Sequence, residues 1–168
     1  GVQTVGGTIT LESSGNLTLT SLLATSSASN SAVSLTSSGG GVFDGDSDGS
    51  VDIQATNGRL VTVSNGGFGT TVNPVETTLG SLDLINNTAG DISIYETDGL
   101  EISRITQNVN DKNIAVSYSG SLSGQDQAIV PDGSIGAVTF IQRQQLVSIK
   151  DQILGGTGKS LGDLSVES

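Results

Sequence analysis

Asp44-Gly-Asp-Ser-Asp-Gly49 is the stretch whose residue types and spacing come nearest to a chemical site. Three carboxylates at alternate positions, closed by a glycine, match the first half of a calcium loop, D-x-D-x-D-G. Such oxygens can converge on one hard cation if the glycine permits the turn. Val51 and Asp52 stand where such a loop carries an aliphatic residue and a further ligand. The bidentate Glu of the twelfth position is replaced by Ala55, and no helical pattern flanks the run. Two readings follow: a β-turn Ca2+ site held by Asp44, Asp46, Asp48 and Asp52, or a solvated acidic loop built from good turn formers.

Other chemistry is sparse. The chain contains no His and no Cys, which excludes a Ser-His-Asp triad, thiol chemistry, disulfides and the usual zinc site. Asp52, Asp83, Asp91, Glu96 and Glu101 are candidates for a paired-carboxylate glycosidase. Each also occupies a place where an outward polar residue of a strand or turn belongs. Carbohydrate sites normally add aromatic platforms, and only Tyr95, Tyr118 and three Phe are present. The expectation is a protein that is not an enzyme. Gly155-Gly-Thr-Gly-Lys-Ser160 resembles the end of a phosphate-binding loop, but Ile153 stands where the motif needs Gly, so it reads as a turn. Asn16-Leu-Thr18 and Asn86-Asn-Thr88 match the N-glycosylation acceptor, a match expected by chance in a chain rich in Asn and Thr.

The elements that must position these residues are legible as a recurring triplet, aliphatic-polar-aliphatic. Between Gly80 and Ser103 it occurs as Leu82-Asp-Leu84, Ile92-Ser-Ile94 and Leu100-Glu-Ile102, each shortly after a glycine, Gly80, Gly90 or Gly99. Earlier copies are Ile9-Thr-Leu11, Leu17-Thr-Leu19, Val33-Ser-Leu35, Val51-Asp-Ile53 and Val61-Thr-Val63. Later ones are Ile114-Ala-Val116, Val138-Thr-Phe140, Val147-Ser-Ile149 and Leu164-Ser-Val166. Each reads as a short strand with one dry and one wet face, and the glycines read as turns where positive φ is needed. Leu22-Leu23, Val42-Phe43, Val72 to Val75, Leu122 and Ile129-Val130 are weaker candidates in the longer gaps. One strand and one turn about every nine residues signals an all-β fold.

Aromatic residues make up only 3% of the chain, so core volume must come from Val, Ile and Leu. That suits a narrow, regular interior. Short strands and small hydrophobes favour a β-solenoid, specifically a right-handed parallel β-helix with about three sides and roughly 25 to 30 residues per coil. An Ig-like β-sandwich is the alternative. Residues 1–140 form the expected β-repeat domain. Residues 141–168 read as a C-terminal strand or short helix, followed by the start of a next repeat, since Gly162 to Ser168 echoes Gly7 to Ser13.

The formal charge is −11, which disfavours nucleic acid and anionic membranes as partners. No run approaches the length of a membrane span. A first residue of Gly reads as a processed chain or a piece of a longer one.

Gly15 to Ser21 (GNLTLTS), Asp44 to Ala55 (DGDSDGSVDIQA) and Gly80 to Ile102 give the chain a texture that resembles repeat segments of giant bacterial surface proteins, the filamentous-haemagglutinin-like adhesins. The Gln-rich stretch from Gln142 to Gln152 departs from it. The resemblance implies an exported, extracellular or cell-surface β-helix that serves as adhesin, spacer or fibre. It implies partners that are neighbouring copies stacked head to tail, or a surface glycan or receptor, and it carries over no functional residue. The expected function is therefore a non-enzymatic structural or adhesive segment of an exported bacterial surface protein or filament. A calcium-dependent carbohydrate-binding sandwich and a carbohydrate-active β-helix are the alternatives.

Overall fold

The computed structural model describes residues 1–143. The strands are β1 (Val2–Val5), β2 (Ile9–Ser13), β3 (Leu17–Leu19), β4 (Leu22–Thr25), β5 (Val33–Ser37), β6 (Val42–Asp44) and β7 (Ile53–Ser64). They continue as β8 (Val75–Asn86), β9 (Ile92–Glu96), β10 (Leu100–Gln107), β11 (Ile114–Tyr118), β12 (Leu122–Ser123), β13 (Ala128–Ile129) and β14 (Val138–Gln142). Every described pairing between them is parallel. The fold is a β-solenoid of about 6 turns. Parallel stacking throughout excludes the Ig-like sandwich, whose sheets are antiparallel, and with it the sandwich form of a carbohydrate-binding module.

One side of the stack carries β1, β4, the first parts of β7 and β8, then β9, β11 and β14. The second side carries β2, β5, the later parts of β7 and β8, and β10, which β12 and β13 extend. The third side is short: β3 and β6, continued by single bridges from Val42 to Phe68 and from Phe68 to Ile92. From β9 onward one straight strand serves two sides, because Ile92 follows Phe68 while Ile94 follows Val75. Coil length varies along the stack: on the first side register partners lie 31 residues apart at Leu22 and Ile53, 19 at Val75 and Ile94, and 24 at Ile114 and Val138. Hydrogen-bonded partners in neighbouring coils lie 22 residues apart at Ser64 and Asn86, and 21 at Asn86 and Gln107.

Inward residues repeat from coil to coil and pile into columns. Val33, Leu60, Leu82 and Ile102 form one, and Leu35, Thr62, Leu84 and Ile105 the next. All eight are buried. Each buried aliphatic side chain contributes about 1.5–3 kcal/mol. Alternation places polar residues outside: Asp83 faces out between Leu82 and Leu84 and forms a two-pronged ion pair with Arg104, its register partner one coil on, at 2.7 and 2.9 Å.

Several sequence expectations change. In Val61-Thr-Val63 the faces are inverted, since Leu60, Thr62 and Ser64 point inward and Val61 and Val63 do not. Val51 and Asp52 precede the strand that begins at Ile53, and Asp52 is buried. The weaker candidates at Leu22, Val42, Val75, Leu122 and Ile129 lie in strands. Of the three central glycines only Gly90 has positive φ, at 77°. Gly80 lies within β8, where an added Cβ would stand 3.0 Å from the Asn57 carbonyl carbon in the coil below. What the corner demands there is close backbone approach, not a left-handed turn. The Val147 and Leu164 triplets, the Gly155 to Ser160 stretch, and the helix-or-strand question beyond Arg143 lie outside the described residues. So does most of the 141–168 segment, although Ile141 and Gln142 belong to β14.

Candidate metal centre

Two successive coils make an excursion where the third side meets the first. The chain leaves β6 at Asp44 and returns at Asp52 and Ile53. One coil later it passes from Phe68 through a turn at Thr70 and Asn73 back to Val75. Where β9 runs straight through, no excursion exists. The first is made by turn chemistry: the Asp44 carboxylate accepts the amide N–H groups of Asp46 and Ser47, both at 2.9 Å. Ser47 and Gly49 take positive φ. The Asn73 side-chain amide donates to the Asp44 carbonyl at 3.4 Å, tying the second excursion to the first.

Asp44, Asp52 and Glu76 meet at this corner, each offering one oxygen, with those oxygens within 4.8 Å of one another. Asp52 and Glu76 are backbone neighbours across coils: the Asp52 N–H donates to the Glu76 carbonyl at 2.9 Å, and the Glu76 N–H donates to Asp52 Oδ2 at 3.2 Å. Strand alternation turns Glu76 outward, between inward Val75 and Thr77, yet it is only 5% exposed; Asp44 is 8% exposed and Asp52 1%. Asp52 Oδ1 and Glu76 Oε2 are buried without a hydrogen-bond partner. The one ion pair among the described residues, Arg104 with Asp83, involves none of the three.

The electrostatics follow from burial. Burial pushes the Asp52 carboxyl up to about 8, reinforced by the negative charges of Asp44 and Glu76. Burial likewise raises Glu76 above the usual carboxylate range. At Asp44 burial opposes the charge, but hydrogen bonds from the Asp46 amide and carboxyl, the Asn73 side chain and the Ser47 amide outweigh it and hold the group low.

Of the four ligands read from the sequence, the fold brings Asp44 and Asp52 together and leaves Asp46 and Asp48 on the exposed turn outside the group. Asp48 instead accepts the Ser50 N–H at 2.7 Å. Glu76, missed by sequence reasoning, takes part from the neighbouring coil. No local motif marks it; only the coil register, Ile53 opposite Thr77, places it beside Asp52.

The other candidates are dispersed. Asp83 is engaged by Arg104, Asp91 accepts the Asn113 N–H at 2.8 Å, and Glu101 is exposed. Glu96 is fully buried in the column that runs through Ile53 and Thr77. It accepts the Thr77 hydroxyl at 2.8 Å and the amides of Leu79 and Asp98. Burial and its side-chain neighbour Asp98 push its carboxyl up to about 9. Asn86, the acceptor residue of the second glycosylation match, is fully buried with its amide engaged, so a glycan has no access to it in the folded chain.

Comparison of the chain with protein-family models, with curated proteins and with solved structures finds no match.

Proposed function

We propose that the chain is a non-enzymatic structural segment of an exported bacterial surface protein or filament, which works by stacking coils and by contact along its sides. The observation that carries this reading is the parallel coil stack itself, whose ladder continues onto a further coil wherever one is presented, from an adjoining segment or from a neighbouring copy, as at the β1 face. Among the described residues β1 pairs only with β4, and Val5 is 75% exposed. Val2 and Gly6 donate their amides toward the β4 side, so in a parallel ladder the alternate amides of Gln3 and Val5 face the open side. An unpaired edge is a template for another strand. In a solenoid that strand is the last coil of a neighbouring copy or of an adjoining segment, and head-to-tail addition of this kind extends into a filament. The acidic, hydroxyl-rich sides suit contact with a surface glycan or receptor at the cell exterior.

Sedimentation velocity and electron microscopy over a concentration series test the reading. Wild type forms elongated species that grow with concentration, whereas Val5→Pro, which removes an outward amide without touching the β4 ladder, remains monomeric. Wild type that stays monomeric at every soluble concentration contradicts stacking between copies.

A further inference from the structure

We propose that Asp44, Asp52 and Glu76 form a calcium site that staples two adjacent coils at their corner. Three carboxylate oxygens within 4.8 Å of one another are close enough to bind one hard cation, because ligands with Ca–O bonds of about 2.3–2.6 Å lie no farther apart than about twice that length. Mg2+ dehydrates reluctantly and is usually held by only one or two carboxylates, so three buried ones suit it less well. The second observation is independent of the clustering. Asp52 and Glu76, both more than nine-tenths buried, each hold an oxygen that has no donor once the two carboxyls are ionised. Such groups are expensive to bury unpaired. A cation supplies the missing partner to both.

The ligands come from three places in the chain: the end of β6, the residue before β7, and the second residue of β8. The Asp44 oxygens that accept the Asp46 and Ser47 amides retain lone pairs for the ion. Backbone carbonyls and water complete the shell that calcium requires. Binding fixes the Gly45 to Val51 turn to both coils, so the ion acts on the stability of the corner and not on catalysis.

The test is calorimetric titration of the chelator-stripped full chain with CaCl2, beside thermal melts in Ca2+ and in Mg2+. One calcium binds per chain, and the melting temperature rises by about 5 °C or more when calcium exceeds its Kd roughly a hundredfold. Glu76→Gln and Asp52→Asn each weaken binding at least about tenfold. Asp48→Ala leaves affinity within about twofold, because its carboxylate lies outside the group and accepts the Ser50 N–H, while Asp46→Ala, whose carboxyl touches Asp44 alone among the three, weakens binding less than Glu76→Gln does. Absence of both heat and a melting shift in folded wild type overturns the site. So does a loss in Asp46→Ala equal to that in Glu76→Gln, which moves the ion to the exposed turn, and so does an equal shift in Mg2+, which removes the calcium assignment. If Glu76→Gln or Asp52→Asn fails to fold, the wild-type stoichiometry and Asp48→Ala still decide.

Discussion

Asn86 shows how much one inward polar residue can organise. It follows Ser37 and Ser64 in the same column and precedes Gln107. Its side-chain oxygen accepts the Ser64 hydroxyl at 3.2 Å and the Gly67 amide at 2.9 Å. Its side-chain NH2 donates to the Ala89 and Gly90 carbonyls and to Gln107 Oε1. Asn86→Ala strands several of these groups away from water, and each orphan costs about 1–3 kcal/mol, so denaturant unfolding should register a loss of about 3 kcal/mol or more. Thr62 is the converse case. Its hydroxyl is buried without a partner among Leu35 and Leu84, and Thr62→Val should raise stability by about 1 kcal/mol in the same assay. Glu96 gives a pH signature. Its folded pKa, about 9, lies above the ordinary 4.5. Its contribution is therefore fully present below about pH 4.5 and is lost as pH rises through 9. Melts in chelator should show stability falling between pH 5 and pH 9, with Glu96→Gln flattening that fall by an amount on the order of a few kcal/mol. An equally steep fall in the variant would place its cause elsewhere.

At the scale of the element, strand existence was legible and strand facing was only partly so. Leu82-Asp-Leu84 and Leu100-Glu-Ile102 announce their dry faces because both inward residues are aliphatic. Val61-Thr-Val63 misleads, because there the inward set is Leu60, Thr62 and Ser64, and the outward set is the more hydrophobic. Its true facing comes from register with Leu35 below and Leu84 above, which no local window contains. The acidic corner divides in the same way. Asp44 and Asp52 were visible as a local motif, while Glu76 depends on the stacking of one coil on the next. Corner glycines are likewise coil-to-coil features. Gly66 has an ordinary φ, but an added Cβ would lie 2.6 Å from the Gly41 amide nitrogen and 2.7 Å from the Gly40 carbonyl carbon. Gly66→Ala should accordingly force these two coils apart and lower the melting temperature by several degrees, whereas Gly15→Ala, with open space at its Cβ, should change it little.

For the whole molecule, the narrow interior explains the composition. Columns of Val, Ile and Leu fill it without large rings, and Phe68 is the exception that fills the third side where that side shrinks to single bridges. Coil length was not legible, because the excursions at Asp44 to Asp52 and at Thr70 to Asn73 vary the count while leaving the ladders intact. The account rests on parallel coils stacked in register, and distance measurement between paired spin labels reads that most directly. Glu12, Thr36, Val63, Ile85, Thr106 and Ile129 succeed one another across five ladder steps. The chain has no native cysteine, so labels on Glu12→Cys and Ile129→Cys are unambiguous. Five steps of about 4.8 Å predict a narrow distribution centred near 24 Å; a broad distribution, or one centred well beyond the reach of the two label arms from that value, would contradict the stacked coil.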